Sequence, residues 1–198
     1  MLSTVQRSTP TSRSRGFQEL DSATLERCVR QDPVAFRAFV VRYERPVFAL
    51  LSRMLGHGPH VEDLAQEVFL KAYRAFGRFD VNASARASTW LLTIAARLAL
   101  DASKKYQPRL APLEAGMAIA STETPAIVSE RALLGRRIAH AAARLSNEQR
   151  IAFIMTEYHG LSQAEVAEAL GVPQATVKTR LFRARQRLRE LLSEEGDS

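Results

Sequence analysis

The sequence predicts an all-α protein built from two small helical domains that are joined by a flexible linker. Ala, Leu, Arg, Glu and Gln are abundant in the 198 residues, and all five favour helices. Long alternating runs of β-branched residues, which would indicate strands, do not occur. Between residues 107 and 129 the helical pattern gives way to prolines and small residues. We therefore expect a disordered tail at 1–20, a first domain at 21–106, this linker, and a second domain at 130–193.

The chain is strongly basic, with a formal net charge of +7 and a pI near 10.2. This charge indicates a polyanionic partner, of which nucleic acid comes first and a membrane surface second. Cys28 is the only cysteine, so no intrachain disulfide can form, and its apolar neighbours suggest a buried thiol. No apolar run approaches the ~18 residues of a transmembrane helix. Residues 1–16 superficially resemble a transit peptide, but their small apolar content favours a disordered tail.

Helix boundaries in the first domain follow from capping residues and prolines. Asp21 is an N-cap for the first helix, and Asp32 with Pro33 begins the second. Pro46 lies within the apolar pattern of the second helix, where it predicts a kink or a break. The sequence GHGPH at residues 56–60 is typical of a turn.

Two further helices complete the first domain. The third, within residues 61–79, has four apolar side chains on one face: Leu64, Val68, Ala72 and Ala75. Residues 80–88 are expected to form a loop. Ser88 or Thr89 is then expected to cap a fourth helix, which ends in basic residues that suit the negative end of the helix dipole.

The second domain has clear signals for the start and end of each helix, and we expect its helices to begin at Glu130. The sequences SNEQ at 146–149 and SQAE at 162–165 both fit the capping box. Gly160 and Gly171 stand where helices should end. A short helix, a tight turn and a longer helix follow, which are the proportions of a helix-turn-helix, whose second helix enters the DNA major groove.

The last helix combines an apolar face with a basic one. At 100° per residue, five side chains share the core face: Val177, Leu181, Ala184, Leu188 and Leu191. The opposite side carries Thr179, Phe182, Arg183 and Gln186, flanked by Lys178 and Arg189. An isolated arginine-rich helix is usually only solvated. Here the charge lies on the second helix of a helix-turn-helix, so we expect contact with DNA, where arginine can bond guanine edges or neutralise phosphates.

The segment EDLAQEVFLKAY at 62–73 places Asp63, Gln66 and Glu67 on the polar side of an amphipathic helix. Read alone, these residues form a solvated first turn that the helix dipole favours. The order of the segments says more: DPVAFRAFVVRY, EDLAQEVFLKAYRAF and TWLLTIAARLALD, then the linker, then LSNEQRIAFIMTEYHGLSQAEVAEALGVPQATVKTRLFRARQRLRE. Over residues 25–105 and 130–192 this series closely resembles the extracytoplasmic-function (group 4) sigma factors of bacterial RNA polymerase.

The resemblance implies a promoter-specificity subunit made of conserved regions 2 and 4, without region 1.1 or a region 3 domain. Its partners would be core RNA polymerase, through the β′ clamp helices and the β flap, together with promoter DNA and an anti-sigma factor. It would act in the bacterial cytoplasm at the nucleoid, or be sequestered at the membrane by the anti-sigma factor without inserting directly. No catalysis, cofactor, metal or small-molecule substrate is expected.

The resemblance also implies site residues, position by position. Core polymerase would bind Asp63, Gln66, Glu67 and Phe69. The −35 element would be read or clamped by Lys178, Thr179, Arg180, Phe182, Arg183 and Arg185. The −10 element, as an opened strand with flipped bases, would be bound by Asn82, Arg86, Trp90, Arg97, Lys104 and Lys105.

Two of the −10 candidates, Trp90 and Arg97, need a further comment. Trp90 shares its helix with apolar Leu91 and Ile94, so we expect it in the core rather than as a stacking platform for a base. Many family members have Asn where this chain has Arg97, and the preceding loop is slightly longer here than usual. Both differences concern the −10 sequence preference and leave the general role intact.

Two other classes of function compete with this interpretation. An ordinary transcription regulator would join a helix-turn-helix to a sensory N-terminal domain and bind duplex DNA alone as a dimer. A sigma factor instead directs initiation together with core polymerase. An enzyme is disfavoured because neither a Gly-rich phosphate loop nor a nucleophile–base signature occurs. His57 and His60 are a solitary pair in a turn, too few ligands for a zinc site.

Overall fold

The computed structural model describes residues 19–82, 86–105 and 125–194, and every regular element in these ranges is helical. In chain order the helices are α1 Ser22–Val29, α2 Pro33–Leu55, α3 Pro59–Ala75, α4 Ala87–Lys105, α5 Pro125–Ala143, α6 Asn147–Phe153, α7 Gln163–Leu170 and α8 Gln174–Glu194. The all-α prediction is confirmed, with α1 to α4 in one bundle and α5 to α8 in the other. Most of the predicted tail and linker lies outside the described residues.

Aspartates begin α1 and α2, as the sequence indicates. Asp21 Oδ1 accepts a hydrogen bond from the Thr24 amide at 2.8 Å, and Asp32 Oδ1 accepts one from the Val34 amide at 2.8 Å. Each carboxylate satisfies an amide that has no partner within the helix. Cys28, on the inner face of α1, is only 1% exposed, so the prediction of a buried thiol is confirmed.

α2 continues through Pro46 to Leu55, so the break that the sequence allowed there does not occur. A proline inside a helix costs roughly 3 kcal/mol because it lacks an amide donor and its ring crowds the preceding turn. Pro46 is buried, and its neighbour Val47 is fully buried in the same core. Packing of this apolar face offsets the cost, and tertiary contacts therefore override a local helix-breaking signal.

The start of α4 is held by a residue that is distant in sequence. Glu19 Oε2 accepts a hydrogen bond from the Ser88 amide at 3.3 Å and one from the Tyr43 hydroxyl at 2.6 Å, while Oε1 accepts from the Ser88 hydroxyl. Because α4 begins at Ala87, the prediction that Ser88 or Thr89 is its N-cap is wrong. Glu19, which the sequence assigned to the tail, is the carboxylate that satisfies this helix terminus.

Aromatic rings fill the core where α2, α3 and α4 meet. Phe39 and Phe76 are fully buried, and their ring centroids lie 4.9 Å apart in an edge-to-face arrangement. Phe76 belongs to a 3₁₀ turn, Phe76–Arg78, that follows α3, and its ring meets that of Trp90 on α4 at 5.1 Å. Such pairs add about 0.5–1.5 kcal/mol beyond burial alone. This cluster fixes the direction in which the chain passes from α3 to α4.

Capping boxes begin α6 and α7, as predicted. The Ser146 hydroxyl accepts from the Gln149 amide at 3.3 Å, and Ser162 with Glu165 forms the same arrangement. α7 ends at Gly171, whose φ of +65° lies in the left-handed region that glycine enters without a steric penalty. Because α8 follows this turn directly, the helix-turn-helix prediction is confirmed.

The second bundle differs from expectation at two places. α5 begins at Pro125 rather than at Glu130, so the helix takes in the last residues of the predicted linker. Proline suits a first helical position because its φ is preset and no amide is needed there. α6 widens into a π-helical turn, Ile154–Tyr158, which ends before Gly160. Widened turns of this kind often mark functional positions.

The two bundles share one continuous core, whereas the sequence suggested modules separated by a tether. All five predicted core residues of α8 are buried. Leu188 and Leu191 pack with residues of α5, and Val177 and Leu181 join the cluster that contains Phe39 of α2. Apolar contact therefore holds the bundles together in this arrangement.

A buried arginine forms hydrogen bonds to both bundles where they meet. Arg150 is 3% exposed, and its guanidinium donates to three carbonyls at the C-terminal end of α5 and just beyond it, and to the Met54 carbonyl of α2 at 3.0 Å. Carbonyls at a helix C-terminus lack donors and carry partial negative charge, so they suit a cation. Burial lowers the pKa of Arg150, but arginine starts so high that the group stays charged.

Candidate nucleic-acid interface

α8 presents a polar surface opposite its buried stripe. Four residues of its N-terminal half form what we call the reading face: Lys178, Thr179, Phe182 and Arg183. All four are exposed, and Phe182 is 63% exposed. A guanidinium can bond a guanine edge, and an apolar ring can contact a thymine methyl group. The reading face therefore carries side chains of both kinds that read a major groove.

The other two −35 candidates have different surroundings. Arg185 Nη2 lies 2.6 Å from Glu157 Oε1, an ion pair that joins α8 to the π-helical turn. Such exposed pairs contribute about 1 kcal/mol or less, so Arg185 can be redirected to a phosphate at small cost. Arg180 is half-buried at the edge of the reading face. Because Arg180 is less exposed than Arg185, its side chain is the more restricted of the two.

A cleft of about 440 Å³ lies beside the reading face. It runs between the first turn of α6 and the N-terminal half of α8, and its polar walls are formed by Ser146, Glu148, Gln149, Thr176, Thr179, Arg180 and Arg183. Arg180 and the hydroxyls beside it are donors that suit a phosphate, whereas the carboxylate of Glu148 has the same sign of charge as a phosphate. Arg180 can thus position a nucleic-acid backbone while Phe182 and Arg183 of the reading face contact bases.

Two of the −10 candidates, Arg97 on α4 and Arg86 just before it, lie near the second bundle. The Arg97 Nε donates to the Ala169 carbonyl of α7 at 2.9 Å. Arg86 lies close enough to Glu165 of α7 for its charge to favour the ionised carboxylate. Both side chains are nevertheless exposed, so this surface of α4 touches α7 without being closed off from solvent.

The other four −10 candidates are distributed along α4 and the loop before it. Asn82 is exposed in the loop, and Lys104 and Lys105 are exposed at the opposite end of the helix. Trp90 is half-buried, with its ring 5.0 Å from that of Phe79. These ring contacts agree with the expectation that Trp90 is mainly a core residue.

Glu165 links α7 to α4 electrostatically. Its Oε2 accepts from the Ser162 amide at 2.8 Å, and its Oε1 accepts from the Thr89 hydroxyl at 3.2 Å. Burial raises the pKa of this carboxyl, but the hydrogen bonds from Ser162 and Thr89 and the charge of Arg86 outweigh it, so the pKa lies below its ordinary value. The group is ionised at neutral pH and is therefore a strong acceptor toward α4.

α3 carries the candidates for polymerase contact. Asp63, Gln66 and Glu67 are exposed. Phe69, which the resemblance also assigned to polymerase binding, is only 9% exposed and packs into the core. Leu70 is 47% exposed and lies one turn beyond Gln66 on the same face. The sequence signal for Leu70 is its spacing of four from Gln66 and seven from Asp63, which places it on their side of the helix.

Within the described ranges, no three His, Cys, Asp or Glu side chains are grouped so that they could hold a metal ion. His60, one of the two histidines in the turn before α3, has Nε2 3.4 Å from the Leu55 carbonyl. Over the same part of the chain, no helix combines the length and hydropathy that a membrane span requires.

Both halves of the chain match known protein families. Residues 39–109 match the family described as Sigma-70 region 2, and residues 135–188 match Sigma-70, region 4. The first match contains α3, α4 and most of α2. The second contains α6, α7 and α8 as far as Leu188, and with them the whole reading face.

Individual proteins are similar over most of their length. The ECF RNA polymerase sigma factor SigW of Bacillus subtilis is 32% identical over 171 residues, covering 81% of this chain and 90% of SigW. The ECF RNA polymerase sigma-E factor of Escherichia coli K12 is 32% identical over 183 residues, covering 85% and 92%. Among solved structures, CnrH in complex with the cytosolic domain of CnrY has a TM-score of 0.64 at 24% identity, covering 90% of this chain and 99% of that chain.

Proposed function

The chain belongs to the extracytoplasmic-function family of RNA polymerase sigma factors, and we propose how its two bundles divide the work of promoter recognition. In this proposal, α8 binds the −35 element as duplex DNA, while α4 and the loop before it hold the opened −10 strand. One observation carries the proposal: the second helix of the helix-turn-helix, within the region 4 match, exposes a basic reading face.

At the −35 element, the N-terminal turns of α8 would lie in the major groove. Arg183 would donate to a guanine edge, and Phe182 would contact a neighbouring thymine methyl group. Lys178, Thr179 and Arg180 would hold phosphates beside the cleft, and Arg185 would join them after leaving Glu157. A bidentate arginine–guanine contact discriminates against other bases by about 1–3 kcal/mol. Phosphate contacts position the helix without reading sequence.

At the −10 element, the protein would trap a strand after its bases have separated. The groups available for this are Asn82, Arg86, Trp90 and Arg97, with Lys104 and Lys105 for duplex phosphates. Flipping a base costs a few kcal/mol, which stacking and pocket contacts offset. Because the open state is stabilised by differential binding, melting requires no bond to be made or broken by this chain. Sigma factors are initiation factors rather than catalysts.

Binding to core polymerase would depend on α3. The exposed carboxylates and amide of Asp63, Gln66 and Glu67 would contact the β′ clamp helices, with Leu70 supplying the apolar part of the surface. The second bundle would contact the β flap. An apolar side chain inside a polar rim is the usual composition of a protein interface.

Regulation would come from an anti-sigma factor. The support for this is the fold that the chain shares with the sigma factor RpoE of Bartonella quintana, which was solved in complex with the anti-sigma factor NepR. The active protein would be in the bacterial cytoplasm at the nucleoid. An anti-sigma factor anchored in the membrane would hold the inactive protein at the membrane.

Run-off transcription with core polymerase on a promoter library tests the proposal. We expect specific start sites only when the chain and core polymerase are both present, and weak binding of promoter duplexes by the chain alone. An ordinary helix-turn-helix regulator would show the reverse, with tight unaided binding as a dimer and no new start sites. That second outcome would refute the division of labour proposed here.

A further inference from the structure

Glu19 lies before α1, yet its carboxylate is bonded to two other helices. Oε2 accepts hydrogen bonds from the Tyr43 hydroxyl of α2 at 2.6 Å and from the Ser88 amide of α4 at 3.3 Å, and Oε1 accepts from the Ser88 hydroxyl. The region 2 match begins at residue 39, so it includes Tyr43 and Ser88 but not Glu19. A residue outside the matched region thus supplies the bonds that hold the start of α4.

Tyr43 fixes the position of this carboxylate. Its side chain is 1% exposed, and its ring centroid lies 4.7 Å from that of Phe39, which is fully buried. The Tyr43 hydroxyl donates to Glu19 and accepts from the Leu20 amide at 3.2 Å, so it bonds two successive residues of this segment. A carboxylate is also a stronger acceptor than a neutral oxygen. Glu19 is therefore anchored to the core of the first bundle.

Ser88 is the point at which this anchor reaches α4. It is the second residue of the helix, where backbone amides have no acceptor within the helix, and it is 6% exposed. Two of the −10 candidates flank it, Arg86 two residues before and Trp90 two residues after. The Trp90 amide donates to the Arg86 carbonyl at 3.0 Å. The bonds from Glu19 therefore hold the turn of helix that carries both candidates.

The Trp90 ring depends on the same turn. Its centroid lies 5.1 Å from that of Phe76 and 5.0 Å from that of Phe79, so the ring joins α4 to the segment that follows α3. A helix whose first amides lose their acceptor frays from that end. Fraying at Ser88 would shift the ring against these partners and change its separation from Arg86. The geometry of the proposed −10 surface thus depends on the bonds to Glu19.

We infer that Glu19 is a positioning residue for −10 capture, because it holds the first turn of α4 against the core and so keeps Arg86 and Trp90 arranged to receive the opened strand. The inference rests on the proposed function, since it needs α4 and the loop before it to be the −10 surface. Glu19 acts through Ser88 rather than on DNA, because its charge has the same sign as a phosphate. A turn that is already ordered costs less to bind than one that must be ordered by the strand.

Open-complex kinetics with the full chain and core polymerase test the inference. Rates measured at increasing holoenzyme concentration separate the affinity of the closed promoter complex from the rate constant of opening. In Glu19→Ala the rate constant of opening should fall roughly fivefold, the usual effect of losing one helix cap. The closed-complex affinity should stay unchanged, because the reading face of α8 is intact. Binding of a single-stranded −10 oligonucleotide by the holoenzyme should fall by the same factor.

Trp90 gives a second reading that needs no polymerase. The sequence contains one tryptophan, so its fluorescence reports on the start of α4 alone. In Glu19→Ala, below the unfolding temperature, the emission should shift to longer wavelength as the ring becomes more hydrated. Glu19→Gln keeps the size of the side chain and one acceptor oxygen, so both its emission and its opening rate should lie between those of Glu19→Ala and wild type. This variant carries the test if Glu19→Ala does not fold.

Asp21→Ala is the matched control. Asp21 is a capping carboxylate in the same segment, but its two oxygens accept from the amide and the hydroxyl of Thr24 in α1, each at 2.8 Å. The variant should lose a similar amount of stability and leave the opening rate and the Trp90 emission unchanged. Equal slowing of opening in Asp21→Ala and Glu19→Ala would overturn the inference, because a general loss of stability would then explain both.

A double-mutant cycle with Ser88→Ala shows whether Glu19 acts through Ser88. Because the two residues share their bonds, the combined variant should slow opening by less than the product of the two single effects. Single effects that multiply, or a Glu19→Ala protein that opens promoters at the wild-type rate, would overturn the inference. In both cases wild type still directs initiation, so the proposed function stands. If wild type neither associates with core polymerase nor directs initiation, the proposed function fails and the inference fails with it.

Discussion

The guanidinium of Arg150 and the carbonyl of Met54 lie 3.0 Å apart although the two residues are 96 positions apart in the chain. This bond joins the end of α2 to the corner between α5 and α6. The same side chain satisfies the carbonyls of Ala142 and Leu145, at 3.0 and 3.1 Å. One buried cation thus stabilises the second bundle internally and connects it to the first.

Replacing this arginine should destabilise the protein strongly. In Arg150→Met, the carbonyls at the end of α5 lose their donor, and each buried unsatisfied group costs about 1–3 kcal/mol. We expect a loss of at least about 3 kcal/mol in the free energy of unfolding, measured by urea denaturation. Arg150→Lys keeps the charge but supplies fewer donors and should lose less. Equal stability of wild type and Arg150→Met would contradict the role assigned to these bonds.

Arg183→Ala should weaken −35 recognition without affecting polymerase binding. The side chain is exposed on the reading face, so its removal leaves the helix-turn-helix folded. Loss of a bidentate base contact of about 1–3 kcal/mol corresponds to roughly 5- to 150-fold in promoter affinity. Run-off transcription on promoters with intact and altered −35 elements measures this loss. Ser193→Ala, exposed near the end of α8, is a suitable control. If Arg183→Ala left promoter selectivity unchanged, the proposal that α8 reads the −35 element in the major groove would be wrong.

Asp63→Ala combined with Gln66→Ala should have the converse effect. Both side chains are exposed on α3, so the fold and the helix-turn-helix remain intact. Binding to core polymerase, measured by co-elution or fluorescence anisotropy, should fall by tenfold or more, because polar contacts at the centre of an interface cost about 1–3 kcal/mol when truncated. Circular dichroism checks the fold. A double variant that binds polymerase normally would exclude this face of α3.

Phe69 and Leu70 are adjacent residues that should respond differently to truncation. Phe69 is 9% exposed, so Phe69→Ala leaves a cavity and should cost about 3–5 kcal/mol of stability. Leu70 is 47% exposed, so Leu70→Ala should leave stability nearly unchanged and weaken polymerase binding instead. Thermal denaturation and polymerase co-elution separate the two effects. If Leu70→Ala bound polymerase as wild type does, the apolar part of the proposed surface would lie elsewhere.

His159 should make the fold sensitive to mild acid. It is 6% exposed at the end of the π-helical turn, and burial, with a smaller contribution from the charge of Arg53, lowers its pKa from 6.5 to about 4. An unfolded histidine takes up a proton near pH 6.5 while the folded one stays neutral. Stability is therefore full above this pH and falls as the pH drops toward 4, by roughly 3 kcal/mol in total.

Urea denaturation at intervals between pH 7 and pH 5 measures this effect, because the carboxylates titrate mainly below that window. The variant His159→Leu keeps the site apolar and removes the titrating group. We expect its free energy of unfolding to change less over the window than that of wild type. Parallel curves for the two proteins would assign the acid sensitivity to other groups.

Local signals predicted the parts of the fold that depend on nearby residues. Capping by Asp21 and Asp32 and the two capping boxes involve groups two or three residues apart, which the sequence displays directly. The buried stripe of α8 follows from the helical period alone, and so does the exposure of its reading face. Most of the candidate −35 surface was therefore available from the sequence, since a helix converts spacing into direction.

Tertiary structure alone decided which groups meet across the molecule. Glu19 caps α4 from 69 residues away, and Arg150 reaches Met54 in the other bundle; neither pairing has a local signal. Tertiary packing also keeps α2 helical on both sides of Pro46. It buries Phe69 while its neighbour Leu70 stays exposed. The packing of α7 against α4 is another contact of this kind. Contacts between distant segments depend on the free energy of the whole packed state, whereas caps and helical periods are set by a few neighbouring residues.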